Sequence, residues 1–565
     1  MKKLFKLSIV FFISLQTFFL QAQTQKTVSV NTKPKLVVGI VVDQMRNDYI
    51  YRYWNRYSNG GFKRLVTEGY YFKNAHYNYI PTYTGPGHSS IYTGATPRTH
   101  GIIANDWFVK PSEVSTYCCE DTLVKTIGSP SKNGLMSPKN QLSSTIGDEL
   151  KMSTNQNAKV FSVALKDRSA ILPAGHAANA AFWFDDSTGS FISSSWYIKA
   201  LPKWLTDFNS KKLTKTYLEK GWSTLYPIET YSNSIADENK YEAAPNKKEK
   251  AIFPYDYNSF IEKNKFNILK ATPHGNSITK DLAIECLKNE QLGKDDVTDL
   301  FCISFSSTDI VAHSYGIRAI EVEDIYLRLD KDIEELLNEL DKQVGKYNYT
   351  VFLTADHGGA DVPNHLLENK IPSGYLKEEK LIKKIKTYFQ TNYGDSLLLA
   401  SVCNEQVYIN DKKLIALKLN KDDVEEKLSN FLITIKGISE AYSSKFLKNQ
   451  SFEKADYRAL LQNGYNHKLS GNVCFIYNPA WMDYTEKGTT HGAGYNYDTH
   501  VPVLFYGNGI KKGENFNYIT ITQIAPTICE LLKINQPNST LAEPLNNFLG
   551  RKNIRRRVKI SKWFR

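Results

Sequence analysis

The sequence predicts an α/β fold: a largely parallel central sheet with helices on both faces and with inserted cap segments. Two observations carry this expectation. Three runs, at 36–42, 300–305 and 349–353, are apolar almost without a break, the pattern of strands buried on both faces of a parallel sheet. Ahead of the third run, residues 320–344 set Val322, Ile325, Leu329, Ile333, Leu336, Leu337 and Leu340 on one helical face, and Gly345 offers a C-cap. A helix followed at once by a strand reads as a crossover unit packing back on a parallel sheet.

Taken in order, residues 1–22 read as a secretory leader. Lys2, Lys3 and Lys6 precede an apolar stretch from Leu7 to Leu20, and Ala22 offers a small residue for cleavage. Serines, a glutamine and a threonine interrupt that stretch, and a membrane span needs about 20 clean apolar residues. A periplasmic or secreted protein with no stable membrane anchor is therefore expected. The catalytic core is expected in three pieces, at 35–200, 296–365 and 486–550. Two polar, aromatic-rich stretches, 201–295 and 366–485, read as insertions that cap the active edge of the sheet. Residues 501–506 form a further strand, and a closing helix runs to about Leu532 with Pro526 in its first turn. The tail, 551–565, holds eight Lys and Arg and no acidic residue.

The net charge of +13 is dispersed outside that tail. No recognised nucleic-acid module is present, so no nucleic-acid partner is expected. Diffuse positive charge suits an enzyme that attracts anionic substrates. The seven cysteines match neither a zinc-knuckle nor a redox spacing. Cys302 and Cys529 lie in apolar runs and read as buried thiols, while one or two disulfides remain open in an oxidising compartment.

The chemistry sits where the apolar runs end. Asp43 closes the first. Asp309 and His313 follow the second, and Asp356 and His357 the third. His491 stands in Thr489-Thr490-His491-Gly492, without a clear strand before it. Carboxylate and imidazole suit zinc in hydrolases, and the strand ends of an α/β sheet are where ligands bind. Thr84, in Tyr83-Thr84-Gly85-Pro86-Gly87-His88, stands at a predicted helix N-terminus, where backbone N–H groups favour a phosphate. By spacing alone Thr84 is more simply a helix N-cap, and Asn105 an ordinary turn residue. Lys166 and Arg168 follow the strand-like 159–164; on an extended segment they would point to one side.

These segments resemble the alkaline phosphatase superfamily, and in particular its phosphate-irrepressible branch with a threonine nucleophile. The resemblance runs in motif order from Asp43 to His491. It implies an alkaline phosphatase-like fold and two zinc ions per chain. Asp309, His313 and His491 would hold one ion; Asp43, Asp356 and His357 would hold the other, which also engages Thr84. It further implies Thr84 as nucleophile, Asn105 as donor to a phosphoryl oxygen, and Lys166 with Arg168 as readers of the extra charge of a phosphate monoester. No role is assigned to His88.

The function expected is a secreted zinc-dependent alkaline phosphatase. It would hydrolyse a broad range of phosphate monoesters, nucleotide and sugar phosphates among them, through a phosphothreonine, with weak phosphodiesterase side activity. A monomer is expected. The same-fold alternative is a nucleotide pyrophosphatase/phosphodiesterase, against which Lys166 and Arg168 argue. A sulfatase lacks support because its Cys/Ser-x-Pro-x-Arg signature is missing, and the leader disfavours a phosphoglycerate mutase. A non-catalytic metal- or phosphate-binding protein is the alternative of another class; every ligand and donor being present argues against it.

Overall fold

Uniform burial selects the strands of the central sheet. The computed structural model describes residues 33–244, 250–452 and 456–550; the leader and the basic tail lie outside them. β1 (Leu36–Val42), with sequence LVVGIVV, is buried at every residue. β2 (Tyr70–His76), β3 (Val160–Ala164), β4 (Ala180–Asp185) and β5 (Ser190–Ser194) follow. β6 (Asp299–Phe305), β7 (Tyr349–Thr354) and β8 (His500–Gly507) complete the main set. Their order across the sheet is β2-β8-β7-β1-β6-β3-β4-β5, with short strands at both margins. From β7 to β4 every neighbour is parallel. The strand expected at 501–506 is β8, and it runs antiparallel between β7 and β2.

Both faces are covered. Along β4, Phe182 and Phe184 pack into the main core, while Ala181 and Trp183 pack into a second cluster with Ile102, Ile171 and Leu172. Alternate residues of a strand point to opposite faces, so two separate apolar layers flank the sheet. The helices that matter are α1 (Thr84–Thr93), α2 (Asp167–Ala174), α3 (His274–Asn289), α4 (Ser307–Tyr315) and α5 (Ile320–Gln343). α5 buries the face read from its periodicity, and Gly345 beyond its end has φ +102°.

The two intervening stretches differ from one another. Residues 366–485 carry a four-stranded antiparallel sheet with its own core, in which Leu381, Ile385 and Phe389 meet Val407, Leu428 and Phe475. Among their described residues, positions 201–295 show no separate core. Leu205, Trp222 and Tyr257 join the main cluster, and α3 packs on β6 and α5. The stretch expected as a cap is thus largely a wall of the core, its aromatic content spent on burial. All seven cysteines are free thiols; Cys302 and Cys529 are buried.

Register brings the strand ends level. Val41 pairs with Thr354 and Val42 with Phe305. Asp43, Asp356 and the start of α4 therefore meet at one carboxyl edge, although more than 300 residues separate the first two.

Candidate active site

Three buried aspartates crowd this edge: Asp43, Asp309 and Asp356. Gln44 staples two of them together. Its backbone N–H donates to Asp356 Oδ1 (3.1 Å) and its side-chain amide to Asp309 Oδ1 (2.7 Å). Asp309 lies in the first turn of α4, and His313 one turn on brings Nε2 to 3.1 Å from Asp309 Oδ1.

Each of the three expected histidine ligands has Nδ1 against a main-chain carbonyl: His313 on Thr489 (2.7 Å), His357 on Gly358 (2.9 Å) and His491 on Thr82 (2.8 Å). A carbonyl only accepts, so each Nδ1 carries the proton and each Nε2 offers a lone pair. Those lone pairs face carboxylates. His357 Nε2 stands 3.5 Å from both Asp43 Oδ1 and Asp356 Oδ2, and His491 Nε2 stands 3.5 Å from Asp309 Oδ1.

Acceptor facing acceptor in a buried site calls for a cation between them. Asp43 Oδ1, Asp356 Oδ2 and His357 Nε2 are buried without a hydrogen-bond partner, a costly arrangement unless a metal ion satisfies it. Two groups have ligand atoms within 4.8 Å of one another: Asp43, Asp356 and His357; and Asp309, His357 and His491. The oxygen and nitrogen donors fit zinc. The grouping differs from the expected three-and-three division in one respect. His357 belongs to both groups, its ring stacked 3.4 Å from that of His491, while His313 joins through Asp309.

The electrostatics show the same competition for positive charge. Burial, reinforced by Asp356, holds Asp43 well above the usual carboxylate range, and burial pushes Asp356 up to about 7. Burial also acts on Asp309, but His313 and Lys166 outweigh it and hold that carboxyl well below its usual range. Burial lowers His357 to about 4 and holds His491 well below the usual imidazole range.

Thr84 opens α1 and is 1% exposed. The first turn of α1 presses against Asp356, since a Cβ on Gly87 would lie 2.4 Å from its carbonyl oxygen. Asn105 is tied to this turn: its Oδ1 accepts from Gly85 N–H at 2.8 Å. His88, for which no role was expected, bonds the Thr84 carbonyl oxygen and Ser304 Oγ, both at 2.9 Å, with Nδ1 3.4 Å from Asp356 Oδ2. It pins the threonine turn to β6.

Lys166 and Arg168 reach the site differently from the expectation of one extended segment. Lys166 is the N-cap of α2, and Arg168 is already helical. The Lys166 ammonium donates to Asp43 Oδ2 and Asp309 Oδ2, both at 2.6 Å, and so lies between carboxylates of the two ligand groups. Arg168 Nη1 donates to Tyr117 Oη at 3.2 Å, Tyr117 donates to Asp167 Oδ1, and Arg168 Nε is buried without a partner. Gln44, His88 and Tyr117 escaped the sequence reading. The adjacency of Gln44 to Asp43, and the one-turn spacing of His88 from Thr84, were the signals available.

A cavity of about 320 Å³ opens beside His491, lined on one side by Tyr83, Thr490 and Gly492 and on the other by residues of the 366–485 stretch.

The comparisons with known proteins agree with this geometry. The family model "Type I phosphodiesterase / nucleotide pyrophosphatase" matches residues 37–501. The chain is 43% identical over 517 residues to a Myroides odoratus protein named calcium-transporting ATPase, covering 91% of this chain and 94% of that one. It is 42% identical over 548 residues to alkaline phosphatase PhoV of Synechococcus elongatus, covering 96% and 98%. It is also 42% identical over 529 residues to alkaline phosphatase PafA of Elizabethkingia meningoseptica, covering 93% and 96%. A crystal structure of PafA superposes with a TM-score of 0.89 at 41% identity, covering 92% of this chain and 99% of that one. A crystallised PafA variant is substituted at a threonine and an asparagine 21 positions apart and at a lysine and an arginine two apart, the spacings of Thr84 to Asn105 and of Lys166 to Arg168. The chain is an enzyme of the alkaline phosphatase superfamily and belongs to the type I phosphodiesterase / nucleotide pyrophosphatase family, close to the alkaline phosphatases PafA and PhoV.

Proposed function

We propose that this enzyme is a secreted, zinc-dependent alkaline phosphatase that hydrolyses a broad range of phosphate monoesters, nucleotide and sugar phosphates among them. The single observation that carries the reading is the pair Lys166 and Arg168 beside the threonine turn. A monoester dianion presents one more non-bridging charge than a diester, and an ammonium with a forked guanidinium supplies the matching donors. The leader supports secretion, and no helix among the described residues is long and apolar enough to cross a membrane.

Asp43, Asp356 and His357 would hold one zinc ion, and Asp309, His313 and His491 a second. When bound, such ions lower the pKa of a hydroxyl or water and offset charge on the departing oxygen. The rest is done by the chain. The Thr84 hydroxyl, buried at the α1 N-terminus, attacks phosphorus; the bond from phosphorus to the alcohol oxygen breaks, and the alcohol leaves with a proton. Water then attacks the phosphothreonine, freeing Thr84 and inorganic phosphate. Gly85 N–H fixes Asn105 Oδ1 and so leaves the amide NH₂ to donate to a phosphoryl oxygen. Tyr117 and Asp167 steady Arg168, whose buried Nε needs an anion. Weak diester cleavage follows from the shared machinery, and Arg168 has least to contribute there.

Removal of metal tests the reading. Chelation should abolish turnover of an aryl phosphate, and zinc should restore it at two ions per chain. Full activity in a metal-free preparation, or one ion with all six ligands intact, would overturn it.

A further inference from the structure

The cavity beside His491 is acidic, although the chain as a whole carries a net charge of +13. Five carboxyl residues line it, Asp106, Glu378, Glu405, Asp483 and Asp498, and among the described residues no Lys or Arg does. Five aromatic side chains, Tyr83, Phe475, Tyr477, Trp481 and Tyr497, line it as well. Lys436 reaches the Trp481 ring, with Nζ 5.8 Å from its centroid, but does not line the space.

Asp106 and Asp483 face solvent, and the buried Asp498 is only partly satisfied. Asp498 is 1% exposed; its Oδ2 accepts from Gly492 N–H (3.0 Å) and Ala493 N–H (2.8 Å), while Oδ1 has no partner. Glu405 accepts from the Tyr83 hydroxyl at 3.2 Å. Burial, with the charges of Asp483 and Glu378, pushes Glu405 up to about 7. Burial, with Asp483 and Asp106, raises Glu378 too. Arg46 offsets part of the rise at Asp498, where burial dominates.

The position of the cavity gives this charge a meaning. Tyr83 precedes Thr84, Asp106 follows Asn105, and Thr490 to Gly492 bracket a proposed metal ligand. An ester with phosphorus at Thr84 has this space for its alcohol. A compact metal ion fits the space poorly, because among the described residues only the two Asp/His groups bring three ligand atoms within 4.8 Å of one another. Carboxylates spread over an aromatic-walled cavity suit a bulky, weakly hydrated organic cation.

We propose that this cavity is a leaving-group subsite that selects phosphate monoesters whose alcohol carries an ammonium group. The proposal rests on the phosphomonoesterase reading, but its test separates the two. The holoenzyme is assayed with phosphocholine and with 3,3-dimethylbutyl phosphate, the uncharged isostere, in the wild type, in Glu405→Gln and in Asp483→Asn. The inductive effect of the ammonium on the leaving oxygen is the same in every protein, so a change in the ratio of kcat/KM isolates the cavity. The ratio should favour phosphocholine in the wild type and fall by about tenfold in each variant. A wild-type ratio at or below one, or a ratio unchanged in both variants, would overturn the subsite. Choline itself should bind the holoenzyme in calorimetry and bind Glu405→Gln more weakly. Choline binding with no turnover of any monoester would leave the subsite standing and overturn the phosphomonoesterase; choline that fails to bind, with both esters turned over equally, would do the reverse.

Discussion

As the proposed nucleophile, Thr84 would owe its reactivity to its surroundings, because a threonine hydroxyl by itself is a weak nucleophile. Thr84→Ala should lower kcat by several decades, each decade being about 1.4 kcal/mol of transition-state stabilisation. Thr84→Ser should keep substantial activity, and a phosphoserine trapped by acid quench would confirm the route. Lys166 and Arg168 should part company. Among the described residues the Arg168 guanidinium hydrogen-bonds Tyr117 and no metal-group carboxylate, so Arg168→Ala should cost an aryl monoester about one to two decades in kcat/KM and leave the methyl diester nearly unchanged. Lys166 lies between Asp43 and Asp309. Lys166→Ala should therefore weaken both reactions, by disturbing the carboxylates as well as by losing a donor. Equal losses from Arg168→Ala on both substrates would remove the charge-reading role.

At the scale of elements, the site depends on how closely α1 approaches the loop after β7. A methyl on Gly87 would lie 2.4 Å from Asp356 O and 2.7 Å from Asp356 Cβ, atoms of a short buried loop that cannot swing aside. Gly87→Ala should cost about 1–3 kcal/mol in thermal unfolding and lower zinc affinity by tenfold or more, read by competition with a chelator. Unchanged zinc affinity would show that this approach does not shape the ligand group. Elements such as β1 and β7 were legible in the sequence because strands buried on both faces are uniformly apolar, and their ends carried Asp43 and Asp356. The periodicity of α5 was legible for the same reason: one face is core. The sheet inside 366–485 was not, since its strands are short and partly exposed, as at Ile438–Ser443. Residues 201–295 misled because Trp222, Tyr231 and Tyr257 bury without a period. The reach of Lys166 to two aspartates was illegible, because a contact across more than 120 residues leaves no local pattern.

For the whole molecule, the ligand segments span Asp43 to His491 and converge only when β1, β6 and β7 are paired in register. Metal affinity and folding are accordingly linked: an ion that binds only the folded chain stabilises it by mass action. Fold alone does not set the substrate class; in the proposed reading Lys166 and Arg168 would set it. The net charge of +13 suits attraction of anions; in the proposed reading the ammonium and guanidinium would then favour the doubly charged phosphoryl group. One ratio measures that preference: kcat/KM of the zinc-loaded mature chain for an aryl phosphate against its methyl diester under the same conditions. The arrangement of Thr84, Lys166 and Arg168 predicts a preference for the monoester of several decades. A diester hydrolysed as fast as the monoester, or faster, would contradict it and make the enzyme a phosphodiesterase.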